Sequence, residues 1–182
     1  MNCTKALKAD HEIILRALHV LEVMTSDMKR GNNVNRNDID SLLVFLREFA
    51  DGCHHVKEEA IFLPALMQAG MHLQDGPLQV MTYEHERARA LTEAMRAAME
   101  RSRMEDFILY AERYVHLLIE HIEKENDVLF ERADQILTED DDQKLAEALT
   151  HFDNTTVGQQ SYARQLRVID SLASKYIGAA VP

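Results

Sequence analysis

The sequence predicts an all-α protein: an antiparallel up-and-down four-helix bundle followed by one or two further helices. Three observations carry that prediction. Six glycines and three prolines in 182 residues fall well short of the roughly 12% of average usage, and a sandwich or barrel needs more turns than that allows. Apolar residues recur at steps of three and four along four long stretches separated by short punctuation, the pattern of core-facing helix stripes. An apolar share of 46% supplies a real core and excludes wholesale disorder.

The first helix runs from Thr4 to about Arg30, where Gly31-Asn32-Asn33 stops it, and its seam is Leu7, His11, Ile14, Leu18, Leu21, Thr25 and Met28. The second is capped by Asn37 and runs to about Ala69, ahead of Gly70. Pro64 inside it predicts a kink or break near Phe62. Its seam (Ile39, Leu43, Leu46, Ala50, His54, Glu58, Ile61, Ala65) carries a stutter of extra steps of four. Asp75-Gly76-Pro77 reads as a turn with proline at the first helical position, opening a third helix to about Arg101. Its inward residues are Leu78, Met81, His85, Ala88, Thr92, Met95 and Met99. Ser102-Arg103-Met104-Glu105 has capping-box spacing and opens a fourth helix to about Leu137, with Phe107, Ala111, Tyr114, Leu118, His121, Glu125 and Val128 facing in. The acidic run Thr138–Asp142 is a capped helix start, and shorter helices over about Asp140–His151 and Thr156–Tyr176 follow. Residues 1–137 are thus expected to form the bundle, and residues 138–182 a helical extension packed on it or forming a homodimer contact.

Charge and cysteine content remove several function classes. Against 20 Lys and Arg stand 31 Asp and Glu, a formal net charge of −11 that disfavours nucleic acid and anionic membrane surfaces. No stretch approaches the ~18 apolar residues of a membrane span. Met1–Lys8 has no apolar run behind its charges, so no signal peptide is expected. Cys3 and Cys53 are too few for a disulfide scaffold, and the expected setting is the cytoplasm with free thiols.

Nine histidines in an acidic chain without tryptophan are the oddity of the composition. Buried ionisable groups are costly unless paired or bound to metal. Yet each of the four seams carries a histidine where an apolar residue belongs. Counted from the intervening turns, His11 falls level with His54 and His85 with His121 in antiparallel neighbours. Two seams add a carboxylate four residues on, in His54-His55-Val56-Lys57-Glu58 and His121-Ile122-Glu123-Lys124-Glu125. At that spacing both side chains share one helix face. Imidazoles from four helices around two inward carboxylates can hold two metal ions, each glutamate bridging the pair.

Asp10-His11-Glu12-Ile13-Ile14, the stretch Cys53–Pro64, Tyr83-Glu84-His85-Glu86 and the stretch His121–Phe130 together resemble the hemerythrin-like, HHE cation-binding family over residues 4–137. The resemblance implies a non-haem di-iron centre with a bridging oxo or hydroxo group, and reversible O2 binding or related sensing, NO handling or iron handling. It assigns His11 and His54 to one iron, His85 and His121 to the other, and bridging to Glu58 and Glu125. Other divalent metals can enter such a site in vitro. Oxygen-carrying hemerythrins have a histidine where this chain has Met81, and an aspartate where it has Asn126. His55 is therefore expected to supply the missing donor on the His85/His121 iron. At about six ligands per iron, that leaves one open position for O2. Without His55 there are two, which favours an enzyme reducing peroxide, NO or O2. His19, His72, His116 and His151 are expected outside the centre, with Leu15, Phe49, Ile61, Phe62, Leu118, Ile122 and Leu129 forming its dry wall.

Overall fold

In the computed structural model, which describes residues 1–72 and 76–178, every regular element is helical and no strand occurs among the described residues. Helix α1 spans Asn2–Lys29. Helix α2, Arg36–Phe45, starts at Asn35, whose side chain accepts from the Asn37 amide at 2.8 Å. The cap therefore lies two residues before the expected Asn37. From Phe45 the chain stays helical through wider, π-helical turns at Leu46–His55 and Glu58–Phe62, and then α3, Leu63–Gln68. Pro64 sits where the second wide turn gives way to α3, so its missing N–H falls at a change of helix type.

Leu73 and Asp75, in the expected connection, lie outside the described residues. Helix α4 is Pro77–Glu100, with proline in its first turn as expected, and α5 is Met104–Lys124. Ser102 does not cap α5. It adopts φ +55° as the residue that closes α4, while the Arg103 amide donates back to the Ala98 carbonyl at 2.9 Å. A π-helical turn at Glu125–Leu129 leads into α6, Phe130–Ile136. Thr138 and Asp141 form a reciprocal capping box at the start of α7, Glu139–Phe152. A last wide turn, Asp153–Gly158, joins it to α8, Gln159–Tyr176.

Side-chain pairs give the helix directions. His85 meets His121 and Glu84 meets Lys124, so α4 and α5 are antiparallel. Lys29 with Glu112, His11 with Asn126 and Thr4 with Asp134 set α1 antiparallel to α5 and its continuation. Helix α8 runs with α1 (Asp10 to Tyr162, Arg16 to Asp170) and against the second stretch (Glu48 to Gln165, Asp38 to Tyr176).

The buried apolar residues form two clusters. One gathers Leu18, Leu21, Phe45, Met95, Phe107 and Leu118 with Ile169 and Leu172 of α8. The other gathers Leu7, Phe62, Leu66, Leu129 and Phe130 with Leu145 and Leu149 of α7. Along α1, α4, α5 and the second stretch, the histidines fall in the interval between the clusters. Helix α8 contributes to the first cluster mainly through Ile169, which is 0% exposed. Ile169→Ala is expected to lower unfolding free energy by about 2–4 kcal/mol, read as a lower urea midpoint at unchanged slope.

Candidate metal centre

Steps of four in an α-helix drift by about 40° each, so a run of them would leave the core within a few turns. The wide turns remove that drift, because i→i+5 bonding places more residues in each turn. Leu46, Ala50, His54, Glu58, Phe62 and Leu66 are consequently all buried, and so are His121, Glu125, Leu129, Ala133 and Leu137. The seam passes from Glu58 to Phe62 rather than the expected Ile61 and Ala65. From Glu125 it passes to Leu129, leaving Val128 46% exposed. Gly52 lies within the first wide turn, where a Cβ would meet the Arg47 carbonyl at 3.2 Å. Of the expected wall, Phe49, Phe62, Leu118, Ile122 and Leu129 are buried, while Leu15 and Ile61 are only partly so.

His11, His54, Glu58, His85, His121 and Glu125 come together in this layer, none more than 1% exposed. The Nε2 atoms of His11 and His54 lie 3.0 Å apart, and those of His85 and His121 lie 3.1 Å apart. Each pair is set edge to face, at 74° and 68°, so its ring lone pairs converge. Glu125 directs one oxygen to His11 at 3.1 Å and the other to His121 at 3.3 Å. Glu58 likewise faces His54 at 3.5 Å and His85 at 3.4 Å. All four oxygens of these glutamates are buried with no hydrogen-bond partner. Buried polar atoms are almost always satisfied, and four orphaned acceptors beside four imidazole nitrogens are the donor set of a metal site. Two overlapping groups, His11/His54/Glu58/Glu125 and Glu58/His85/His121/Glu125, hold their ligand atoms within 4.8 Å of one another.

His55 reaches the second pair, with a ligand atom within 4.8 Å of those of His85 and His121. Its ring, however, stacks on His85 with centroids 4.0 Å apart and planes 16° from parallel. Two stacked rings cannot both aim an in-plane lone pair at one ion, so ligation by His55 requires its ring to leave the stack. Burial first, then the neighbouring imidazoles, hold its pKa well below the ordinary histidine value.

Behind the inward nitrogens runs a second ring of contacts that sequence reading largely missed. Nδ1 of His54 faces Asp10 of α1 at 3.4 Å. Nδ1 of His85 lies 2.8 Å from Glu59, that of His121 3.0 Å from Glu84, and that of His11 2.9 Å from Asn126. Each partner comes from the neighbouring helix, and the order closes on itself: α1, the second stretch, α4, α5, and back to α1. With Nδ1–H donating outward, Nε2 keeps its lone pair for a metal. The signal was present as a polar residue beside each inward one: Asp10-His11, Glu58-Glu59, Glu84-His85, Glu125-Asn126. One residue is 100° of helix, enough to point at the adjacent helix.

Asp10 is held in turn by the buried Lys57 at 2.6 Å, which also meets Asp153 at 3.0 Å. Cys53 and Cys3 are buried free thiols, each pushed up to about 12 chiefly by burial, so neither is a thiolate donor. His19, His72, His116 and His151 are exposed, away from the layer. No described helix is long and apolar enough to cross a membrane.

A comparison with protein-family models matches residues 3–133 to the hemerythrin HHE cation binding domain. No curated protein and no solved structure gives a significant match.

Burial pulls the His85 imidazole down, but Glu58 and Glu59 outweigh it and lift its pKa to about 9. Burial raises the Glu125 carboxyl, yet His121 and His11 bring it down to about 2. In metal-free protein the His85 contribution is therefore complete below its ordinary value of 6.5 and lost as pH rises through about 9. The Glu125 contribution is complete above 4.5 and lost as pH falls through about 2. The depressed His55 pKa adds a third contribution, since its buried neutral ring costs stability as pH falls below 6.5. Melting temperature without metal is therefore expected to be highest near pH 6.5, to decline toward pH 9 and to decline toward acid. Metal affinity should rise over the same alkaline interval, because binding displaces the His85 proton. Thermal melts and chelator-competition titrations across pH check both slopes.

Proposed function

The chain belongs to the hemerythrin HHE cation-binding family, and from that premise we propose that it is a non-haem di-iron protein binding O2 or a related small ligand, in sensing or carriage. In this reading the four histidine-bearing helical stretches form an antiparallel up-and-down bundle over residues 1–137, and residues 138–182 pack on it as an extension. His11 and His54 would hold one ion and His85 and His121 the other, with Glu58 and Glu125 available to both. The supporting observation is the orientation of the two glutamates, each with one orphaned oxygen toward each histidine pair. A single ion needs no such duplication. Nitrogen and oxygen donors with no sulfur suit iron, although zinc and manganese accept similar shells.

Bound iron would supply the ferrous/ferric chemistry by which a small ligand is taken up. The chain's part is to hold both imidazole pairs in register, turn their Nε2 atoms inward through the outward Nδ1 contacts, and exclude bulk water. Phe130 stacks on His11 with planes 9° apart and centroids 5.5 Å apart, and Phe62 packs edge-on against Phe130. These rings seal the His11/His54 side with apolar surface and lower the local dielectric.

The stacked position of His55 favours a second reading, an enzyme reducing peroxide, NO or O2. A shell without His55 offers one more position to outside ligands. Absorption spectra taken anaerobically, in air and after re-evacuation separate the two: reversible bands support carriage or sensing, and rapid autoxidation with turnover supports the enzyme.

Elemental analysis of freshly isolated protein is expected to give about two irons per chain, and less than about one transition metal per chain overturns the reading. Glu58→Gln and Glu125→Gln should each reduce iron to about one per chain or less, since an amide nitrogen cannot replace a bridging oxygen. Asp10→Asn should keep the stoichiometry and weaken affinity about 10–100-fold in chelator competition, as expected for a group that orients a ligand.

A further inference from the structure

A cavity of about 260 Å³ lies between the second helical stretch and α4, beside the histidine layer. Leu43, Ala88, Tyr114 and His55 form its buried floor, and Arg47 and Glu93 stand at its exposed rim. The His55 ring also stacks on His85, with centroids 4.0 Å apart. His55 thus touches both this space and the His85–His121 pair.

Two features make this ring movable. A buried ring in a close-packed interior has nowhere to turn, but this one borders an open volume. Its Nδ1 has no hydrogen-bond partner and faces Asp51 at 3.5 Å, a carboxylate on the cavity wall that Arg89 holds at 2.6 Å. By contrast His85, on the far side of the stack, is fixed by Glu59 at 2.8 Å.

The chemistry of the walls selects the occupant. The floor is aliphatic and aromatic. The cations lining it are already engaged, Arg89 by Asp51 and Glu59, Arg96 by Glu93 and Glu100, and Arg47 by Glu48. An anion would find no unpaired partner there. The volume exceeds the roughly 150 Å³ of an apolar cavity able to take up xenon or benzene. We propose that this cavity is an antechamber for a small uncharged ligand of the diatomic-gas class, and that the His55 ring is its inner gate to the His85–His121 pair. The gate, though not the chamber, depends on the metal centre proposed above.

The test uses full-length iron-loaded protein, NO as the kinetic probe in stopped flow, and xenon as the probe of the chamber by NMR. Ala88→Phe fills the floor, and Val44→Phe, at the exposed rim, serves if that variant does not fold. Filling is expected to abolish xenon binding and slow NO association about tenfold, whereas His55→Ala should speed it about tenfold at unchanged iron content. Loss of iron in His55→Ala overturns the gate, because the ring is then a ligand. Unchanged NO association in the filled variants overturns the chamber as the route, and absence of xenon overturns it as a binding space. Xenon binding to protein that holds no iron would support the chamber while refuting the di-iron reading, so the two failures are distinguishable.

Discussion

Everything in this molecule answers to one burial problem: five imidazoles and two carboxylates lie in a single layer with apolar side chains on both sides. Left as isolated ionised groups, they would cost more than a domain of this size can offset, since net stabilities are only about 5–15 kcal/mol. The layer is tolerable only if nearly every polar atom in it has a designated neighbour. The outward nitrogens of His11, His85 and His121 find theirs within the protein, and that of His54 faces the Asp10 carboxylate at 3.4 Å. The inward nitrogens have only one another, and the four glutamate oxygens have no hydrogen-bond partner, an uneven satisfaction that separates a metal-binding layer from a core polar network.

The outward partners also set the register of the helices. Each histidine is held by a side chain one helix further round, so sliding any helix by a turn, about 5.4 Å, breaks two contacts at once. Apolar packing alone would resist such a slip weakly, because Leu, Ile and Met exchange places at small cost. The polar ring therefore supplies positional specificity that the two apolar clusters lack. The π-helical turns serve the same end. They keep successive steps of four on one face over the stretch where His54 must be followed by Glu58, and His121 by Glu125.

Much of this was legible in the sequence. Scarce glycine and proline, the four seams and the histidine on each seam are statements about helical period, and the helices and the inward six residues follow from them. What escaped was local geometry that an ideal period does not contain. The repeated fours through His54 and Glu58 registered as a stutter, but only the widened turn shows that Phe62 and Leu129 take the inward places of Ile61 and Val128. Ser102 had the composition of a cap and serves instead as a left-handed helix end. His55 illustrates a different limit. Its offset of about 100° from His54 brings the ring to the right helix, yet spacing cannot distinguish a lone pair aimed at an ion from a ring face laid on a neighbouring ring. Asp10, Glu84 and Asn126 were overlooked because a polar residue beside an inward one looks like ordinary helix surface until the adjacent helix is in place.

The two halves of the layer are not equivalent, and the difference follows from where the last helices pack. On the His11/His54 side, Asp10 is tied to Lys57, and Lys57 to Asp153 of the turn between α7 and α8. Tyr162 of α8 approaches the same Asp10 at 3.5 Å. Lys57 is 2% exposed, and its two carboxylate partners outweigh the burial that disfavours its charge. A buried cation between two anions resists rearrangement, since removing either partner strands a charge. The chain beyond residue 137 thus closes this side with an ion cluster, and Phe130 with an aromatic ring. The His85/His121 side has Glu59 and Arg89 near the surface, a stacked ring in place of a locked one, and open volume beyond. A fold that braces one side of a buried site and leaves space against the other makes the two sides unequal in packing alone, and under the proposed function that asymmetry would set the direction from which a small ligand approaches.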